Sequence, residues 1–349
     1  MRYRNFGNSE LRVSALGFGG WPMGGTQYGT TDDSETVRAV ERAVELGINC
    51  FDNAAGYGLG RSEELMGKAL ASHRQDVVIV TKCGLSWDPV EKRLYRDGTR
   101  ESVAAGCEES LRRLGTDYID LMLIHWPDPE TPFSETMEAL SELRDQGKIR
   151  YAGVSNFMPA MMSECLKHLD IVADQAGYSI FERRVERGVL DFCRDHGIGL
   201  MAYGSLAHGL LTGTMTEDTV FEDWDWRATQ NAFGMPFFRA GYFDDNVRTA
   251  RRLGEIAAAA GMTLPDLAVG WVLSRPEVTT ALVGFRTEGE VEAAARSAND
   301  ELPEDILKEV NAISDEAYQR NVSGEDIAPK VGTWNPWDPA PKRFGTTSR

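Results

Sequence analysis

Eight short apolar runs, each followed by a stretch of helical periodicity, constrain this chain more than any other feature. The runs are Ala15–Gly19, Ile48–Asp52, Val77–Lys82, Tyr118–His125, Arg150–Ser155, Ile171–Tyr178, Gly199–Gly204 and Thr279–Gly284. Runs this short and this nearly continuous are what strands buried on both faces look like. The intervening segments are amphipathic. Val37, Val40 and Val44 share one helical face, as do Val103, Cys107, Leu111 and Leu114, and Val185, Val189 and Cys193 with Phe192 beside them. Several stop at a glycine: Leu46-Gly47, Leu114-Gly115, Gln146-Gly147 and His196-Gly197. Strand–helix alternation implies parallel strands joined by right-handed crossovers, and eight such units close into a (β/α)8 barrel. An open doubly wound sheet is the competing architecture. It is disfavoured because no G-x-G-x-x-G follows the first run.

The expected organisation is therefore one barrel domain over residues 1–318, with a Pro- and Trp-containing tail over 319–349. Residues 1–14 are expected to form a hairpin on the barrel floor, and 303–318 a final helix. Residues 207–245 form a long loop after strand seven, of a length that usually carries function. The tail segment Trp334-Asn335-Pro336-Trp337 has two readings, a strap over the barrel or a contact to a partner subunit.

Composition removes several function classes. The net charge of −17 repels phosphate backbones, so nucleic acid is not an expected partner. No stretch of about 18 uncharged apolar residues exists, so no membrane span is expected. The N-terminus lacks the apolar run of a secretory signal, which points to the cytoplasm. The five cysteines (50, 83, 107, 165 and 193) are odd in number and contain no C-x-x-C. That suits buried thiols in a reducing compartment, with no metal site expected.

In a barrel, chemistry sits at the carboxyl ends of the strands. Strand two ends in Asp52, with Tyr57 in its loop. Strand three ends in Lys82, strand four in His125, and strand five in Ser155-Asn156. Strand six carries Gln175, strand seven ends in Tyr203-Gly204-Ser205, and the first strand leads into Gly19-Gly20-Trp21. Taken singly, each has an ordinary explanation: an ion pair for Lys82, a turn or cap for Asp52, a loop aromatic for Tyr57, a backbone partner for His125. Together at adjacent strand ends they make a coherent acid. A phenol titrates near about 10, and a neighbouring ammonium stabilises its anion and lowers that value. Asp52 keeps Lys82 charged and aimed, and His125 holds a substrate carbonyl within reach of the phenol. No activated nucleophile is present, and no second strand-end carboxylate makes a glycosidase pair. A metal-dependent hydrolase would need more strand-end ligands than His125 and Asp52.

Phe51-Asp52-Asn53-Ala54-Ala55-Gly56-Tyr57-Gly58 with Gly60-Arg61-Ser62-Glu63-Glu64-Leu65, Asp120-Leu121-Met122-Leu123-Ile124-His125-Trp126-Pro127-Asp128 and Gly153-Val154-Ser155-Asn156-Phe157 resemble, in order and spacing, the signatures of the aldo-keto reductase superfamily. The nearest flavour is its bacterial inositol-operon and general-stress branch. The resemblance implies a hydride-transferring oxidoreductase for an aldehyde, ketone or sugar carbonyl. Its alternative is a regulatory protein that keeps a nucleotide bound on the same fold. By the resemblance Tyr57 is the general acid, with Asp52 and Lys82 lowering its pKa, and His125 orients the carbonyl. Gly20 and Trp21 lie with Asp52 beside the cofactor. Ser155, Asn156 and Gln175 bond the carboxamide, and Tyr203 stacks on the nicotinamide. Gly204, Ser205, Leu206, Gly209 and Leu211 follow the pyrophosphate, and Gly284, Arg286 and Glu290 meet the adenosine end. Trp21, Tyr57, His125 and Trp126 face the substrate. Trp87, Trp224, Trp226, Phe233, Phe237 and Phe238 either pack the loop or wall the pocket. The implied cofactor is NADPH, with NADH also accepted. Three positions depart from the family pattern: Gly204-Ser205-Leu206 in place of Ser-Pro-Leu, Val283-Gly284 in place of Pro-Gly, and Glu290 with Ala294 near the adenosine.

Overall fold

The computed structural model describes residues 1–25, 27–90, 92–230 and 232–323. Two short strands, β1 (Tyr3–Asn5) and β2 (Arg12–Ser14), pair antiparallel. After them come β3 (Leu16–Gly19), β4 (Cys50–Asp52), β5 (Val78–Cys83), β6 (Leu85–Asp88), β7 (Arg93–Arg96), β8 (Ile119–Ile124), β9 (Ile149–Ser155), β10 (Ala173–Gly177), β11 (Gly199–Tyr203) and β12 (Val278–Gly284). Strands β3, β4, β5, β8, β9, β10, β11 and β12 close, in that order, into a barrel. All its pairings are parallel.

The two-residue period of a strand explains both the core and the site. Cys50, Val78, Val80, Leu121, Leu123, Ala173, Met201 and Leu282 fill the barrel interior, with Phe6, Leu11 and Val13 of the hairpin packed beneath them. The N-terminal hairpin thus plugs the floor. It comes so close that a Cβ on Gly199, which opens β11, would lie 3.0 Å from the Phe6 ring and 2.3 Å from Thr279 Oγ1. Stepping two residues on from this apolar layer reaches Asp52 after Cys50, Lys82 after Val80, His125 after Leu123, Gln175 after Ala173 and Tyr203 after Met201. The polar residues occupy the last inward position of each strand, above an apolar floor that excludes water.

Ten helices surround the barrel: α1 (Asp33–Glu45), α2 (Arg61–Leu70), α3 (Arg100–Leu114), α4 (Phe133–Asp145), α5 (Pro159–Cys165), α6 (Val189–His196), α7 (Phe243–Ala259), α8 (Leu264–Val272), α9 (Glu288–Ala294) and α10 (Glu304–Val322) among the described residues. Their ends follow local chemistry. Asp32 caps α1, Thr99 caps α3, and Thr263 with Asp266 forms a capping box on α8. Gly115 and Gly197 close α3 and α6 in left-handed backbone, as their sequence positions predict. All five cysteines are buried free thiols. No helix among the described residues is long and apolar enough to cross a membrane.

Two features depart from expectation. The β6–β7 hairpin, inserted between β5 and α3, was not anticipated. The final helix runs to Val322, past the residue-318 end that the sequence suggested. The tail motif around Trp334 and Trp337 lies outside the described residues.

Candidate active site

At the mouth of the barrel a cavity of about 240 Å³ is lined from nearly every strand end, including Asp52, Tyr57, His125, Ser155, Asn156, Gln175 and Tyr203. Lys82 is at its base, 1% exposed. Its ammonium donates to Asp52 Oδ1 at 2.7 Å and Oδ2 at 2.9 Å, to the Asn53 carbonyl oxygen at 2.6 Å, and reaches Tyr57 Oη at 3.3 Å. Gln175 Nε2 donates to the remaining reach of Asp52 Oδ1 at 2.7 Å. Burial pushes the Asp52 carboxyl up and the Lys82 ammonium down, and each partner pulls the other back toward the ion pair.

Tyr57 is delivered by the turn after β4. Gly24 and Gly58 pass so closely that a Cβ on Gly58, itself at φ 61°, would fall 2.3 Å from the Gly24 carbonyl oxygen. The phenol ring lies edge-on to the His125 imidazole, centroids 5.9 Å apart, and Trp21 stacks over it at 6.2 Å. Burial raises the Tyr57 phenol well above its ordinary value, and the Asp52 charge adds to this. The phenol thus stands above its ordinary value, where Lys82 and Asp52 were expected to lower it, because burial and the Asp52 charge both disfavour the phenolate. Burial, then Lys82, lowers His125 well below the usual imidazole range, so it is neutral.

Opposite, the polar wall is tied into one network. Ser155 Oγ donates to the Gln175 carbonyl oxygen at 2.9 Å. Asn156 Nδ2 donates to the His125 carbonyl oxygen at 3.2 Å, and Tyr203 Oη donates to Asn156 Oδ1 at 2.9 Å. Asn156 has φ 64°, a left-handed conformation that Asn tolerates better than most residues.

Trp21, Trp126 and Gly284 also line the cavity, whereas Gly20, Gly204, Ser205, Leu206, Gly209, Leu211, Arg286 and Glu290 do not. Gly20 is used structurally: its amide bonds the Asp52 carbonyl oxygen at 2.8 Å, and its carbonyl accepts from Ser62 Oγ. Ser205 and Leu211 are fully buried, and the Ser205 hydroxyl donates to the Ala202 carbonyl oxygen. Neither side chain is turned to the cavity. Glu290, expected at the adenosine end, accepts from the Arg286 amide at 2.7 Å and from its guanidinium at 3.1 Å. Trp87 and Trp224 are exposed and absent from the wall, while Trp226 and Phe233 of the long loop are part of it. Sequence reasoning missed Gln27, Tyr28, Leu85 and Leu94. The last two belong to the unanticipated β6–β7 hairpin, whose turn carried no two-residue Gly signal.

The Aldo/keto reductase family profile matches residues 15–315. The chain belongs to the aldo/keto reductase family. This aldo-keto reductase is 36% identical over 332 residues to the aldo-keto reductase YhdN of Bacillus subtilis, covering 94% of this chain and 98% of the relative. It is 33% identical to the NADH-specific methylglyoxal reductase of Escherichia coli, covering 84% and 92%. The solved glycerol dehydrogenase of Gluconobacter oxydans matches with a TM-score of 0.82 at 34% identity, covering 92% of this chain and 96% of its own. Membership makes this aldo-keto reductase an NAD(P)H-dependent oxidoreductase of carbonyl compounds, on the closed parallel barrel described above.

Proposed function

We propose that Tyr57 protonates the oxygen of a small aldehyde, ketone or sugar carbonyl while a reduced nicotinamide supplies hydride to its carbon. The observation that carries this reading is the chain Asp52–Lys82–Tyr57, with contacts of 2.7 and 3.3 Å. As the C–O π electrons move onto oxygen, the developing alkoxide takes the phenolic proton. The phenolate left behind faces the Lys82 ammonium, which offsets its charge until it is reprotonated. Asp52 keeps Lys82 charged in a buried site that would otherwise neutralise it. The neutral His125 imidazole, edge-on to Tyr57, offers a hydrogen bond to the same carbonyl oxygen and fixes its direction. The reverse sequence oxidises the matching alcohol.

The residues present fit a nicotinamide. Ser155, Asn156 and Gln175 supply hydroxyl and amide groups for a carboxamide, and the Tyr203 ring offers a stacking face beside them. The backbone of Gly204, Ser205, Leu206, Gly209 and Leu211 would hold a pyrophosphate, and Gly284, Arg286 and Glu290 would hold the adenosine end. Arg286 suits a 2′-phosphate through paired hydrogen bonds, which favours NADPH, and its pairing with Glu290 leaves NADH usable. The protein acts in the cytoplasm on a small molecule.

A panel of aldehydes, ketones and sugars, scored by loss of reduced-cofactor absorbance with each nicotinamide, tests the reading. Turnover of at least one carbonyl class is expected. Cofactor binding with no turnover across the panel would assign the fold to a non-enzymatic role instead.

A further inference from the structure

The first turn of α2 sets a carboxylate against the outside of the barrel wall, behind the strand that carries Lys82. Glu63 is 0% exposed, and a carboxylate so buried is costly unless its oxygens are paired. Both oxygens are paired here. Thr81 Oγ1 donates to Glu63 Oε1 at 2.6 Å, and Arg113 Nε, from α3, donates to Oε2 at 2.6 Å. Arg113 reaches the carboxylate by crossing Gly60, where a Cβ would fall 2.5 Å from Arg113 Cδ. Gly60, at φ 95°, is also the N-cap of α2, so glycine there admits both the turn and the crossing side chain.

Successive residues of a strand face opposite ways. Thr81 therefore points out of β5 to Glu63 while its neighbour Lys82 points in to Asp52 and Tyr57. Ser62, beside Glu63, ties down the other half of the site. Its amide donates to the Tyr57 carbonyl oxygen at 3.3 Å, and its hydroxyl to the Gly20 carbonyl oxygen at 2.7 Å. The Gly20 amide in turn bonds the Asp52 carbonyl oxygen at 2.8 Å. The path Thr81–Glu63–Ser62–Gly20–Asp52–Lys82 thus closes on itself across the barrel wall. It joins the strand of Lys82, the turn of Tyr57 and the end of the Asp52 strand. Burial lowers the Lys82 ammonium, and the Asp52 charge, followed by the Glu63 charge, opposes this. The mechanism above uses neither Glu63, Thr81 nor Arg113.

We propose that Glu63, gripped by Thr81 and Arg113, is a positioning residue for the proton transfer: it holds the turn of Tyr57 and the strand of Lys82 at the separation that lets the ammonium meet the phenolate. This rests on Tyr57 being the proton donor. One carboxylate oxygen is anchored to the residue next to Lys82 and the other to a neighbouring helix. Releasing either lets the start of α2, and with it the Tyr57 turn, draw away from Lys82 Nζ. Stabilisation of a phenolate by a fixed charge weakens as their separation grows.

The test uses full-length wild type, Thr81→Val, Thr81→Ser, Glu63→Gln and Tyr57→Phe. Thr81→Val deletes one hydroxyl and leaves the Glu63–Arg113 pair in place, so it is the variant expected to fold. Glu63→Gln offers a single acceptor oxygen to two donors and repeats the test from the other side. The first readout is kcat and KM for a carbonyl that wild type reduces, with the Kd of reduced cofactor. The second needs no turnover: fluorine NMR of protein labelled with fluorotyrosine, in which the Tyr57 resonance is the one missing from Tyr57→Phe. Thr81→Val is expected to lower kcat about tenfold, against about 10²-fold for misplacement by roughly 1 Å, with KM and Kd within about twofold of wild type. Its Tyr57 resonance moves, Thr81→Ser returns both readouts toward wild type, and Glu63→Gln shifts both as Thr81→Val does. An unmoved Tyr57 resonance in folded Thr81→Val overturns the proposal whatever happens to kcat, because any loss then arises elsewhere in the fold. A displaced resonance with wild-type kcat overturns it too, since the separation would not govern the rate. Failure of both Thr81→Val and Glu63→Gln to fold assigns the network to folding and ends the proposal. If Tyr57→Phe turns over normally, or wild type reduces nothing, the proton-donor reading falls, and the resonance alone decides whether Glu63 sets the place of Tyr57.

Discussion

Arg286 and Glu290 hold one another: the carboxylate accepts the Arg286 backbone amide at 2.7 Å and its guanidinium at 3.1 Å. Both side chains are about half exposed, at 52% and 38%, so the pair itself is weak in water. In the proposed cofactor mode its effect is to occupy a cation placed to meet a 2′-phosphate. Glu290→Gln is expected to raise the NADPH-over-NADH ratio of kcat/KM by roughly two- to fivefold. Arg286→Ala should lower that ratio. A Glu290→Gln ratio equal to wild type would make the carboxylate a bystander in cofactor choice.

Lys82→Met removes the cation bonded to Asp52 within a site that is almost fully buried. Breaking a buried pair in this way costs about 3–5 kcal/mol, and reduction near neutral pH should be lost. The stranded Asp52 will take up a proton in the folded state, so its folded pKa rises above the unfolded value of about 3.9. A group raised on folding contributes stability at low pH and loses it as pH climbs through the folded pKa. The melting deficit of Lys82→Met should therefore widen from pH 5 to pH 8. A folded variant with wild-type activity, or a deficit that narrows with pH, would contradict the assigned pair.

Asp174 offers a pH test away from the site. It points outward from β10, is fully buried, and has no well-aligned donor on either carboxyl oxygen. Burial pushes it up to about 8, with the nearby Phe157 and Gln175 amides only partly opposing this. The folded protein therefore loses stability as pH rises from 5 toward 8. Asp174→Asn removes that dependence, and its advantage over wild type should grow by on the order of 3 kcal/mol across this window. Parallel unfolding curves for the two proteins at pH 5 and pH 8 would show the carboxyl to be solvated.

Much of this was legible because a strand has period two. The apolar step Val78–Val80 or Leu121–Leu123 points directly to Lys82 and His125 as the next inward residues, so the polar residues at the strand ends follow from the strand assignment, while Tyr57 lies in the loop after β4. What was not legible depends on contacts between distant segments. Nothing local marks the β6–β7 hairpin that brings Leu85 and Leu94 to the wall, since its strands are short and half-exposed. The direction of the Tyr57 shift is not legible because sequence shows the ammonium nearby but not the burial that raises the phenol. Glu290 was placed near the adenosine end, yet its pairing with Arg286 needs the backbone turn before α9, which spacing does not reveal.

The raised phenol also sets a pH profile. A general acid works below its own pKa, and burial keeps Tyr57 above the ordinary phenol value. The reduction rate is expected to stay level through neutral pH and to fall only above about pH 10. An alkaline limb centred near pH 7 in kcat would show that another group donates the proton.

The central claim is that Tyr57 Oη delivers the proton, and Tyr57→Phe tests it most directly. The substitution keeps the ring stacked under Trp21 and edge-on to His125 while removing only the hydroxyl at 3.3 Å from Lys82 Nζ. Steady-state reduction of the best carbonyl in the panel should fall at least about 10²-fold in kcat, with the Kd for reduced cofactor, read by fluorescence, within about twofold of wild type. A Tyr57→Phe protein that binds cofactor normally and turns over at near wild-type rate would remove Tyr57 from the mechanism and the account with it.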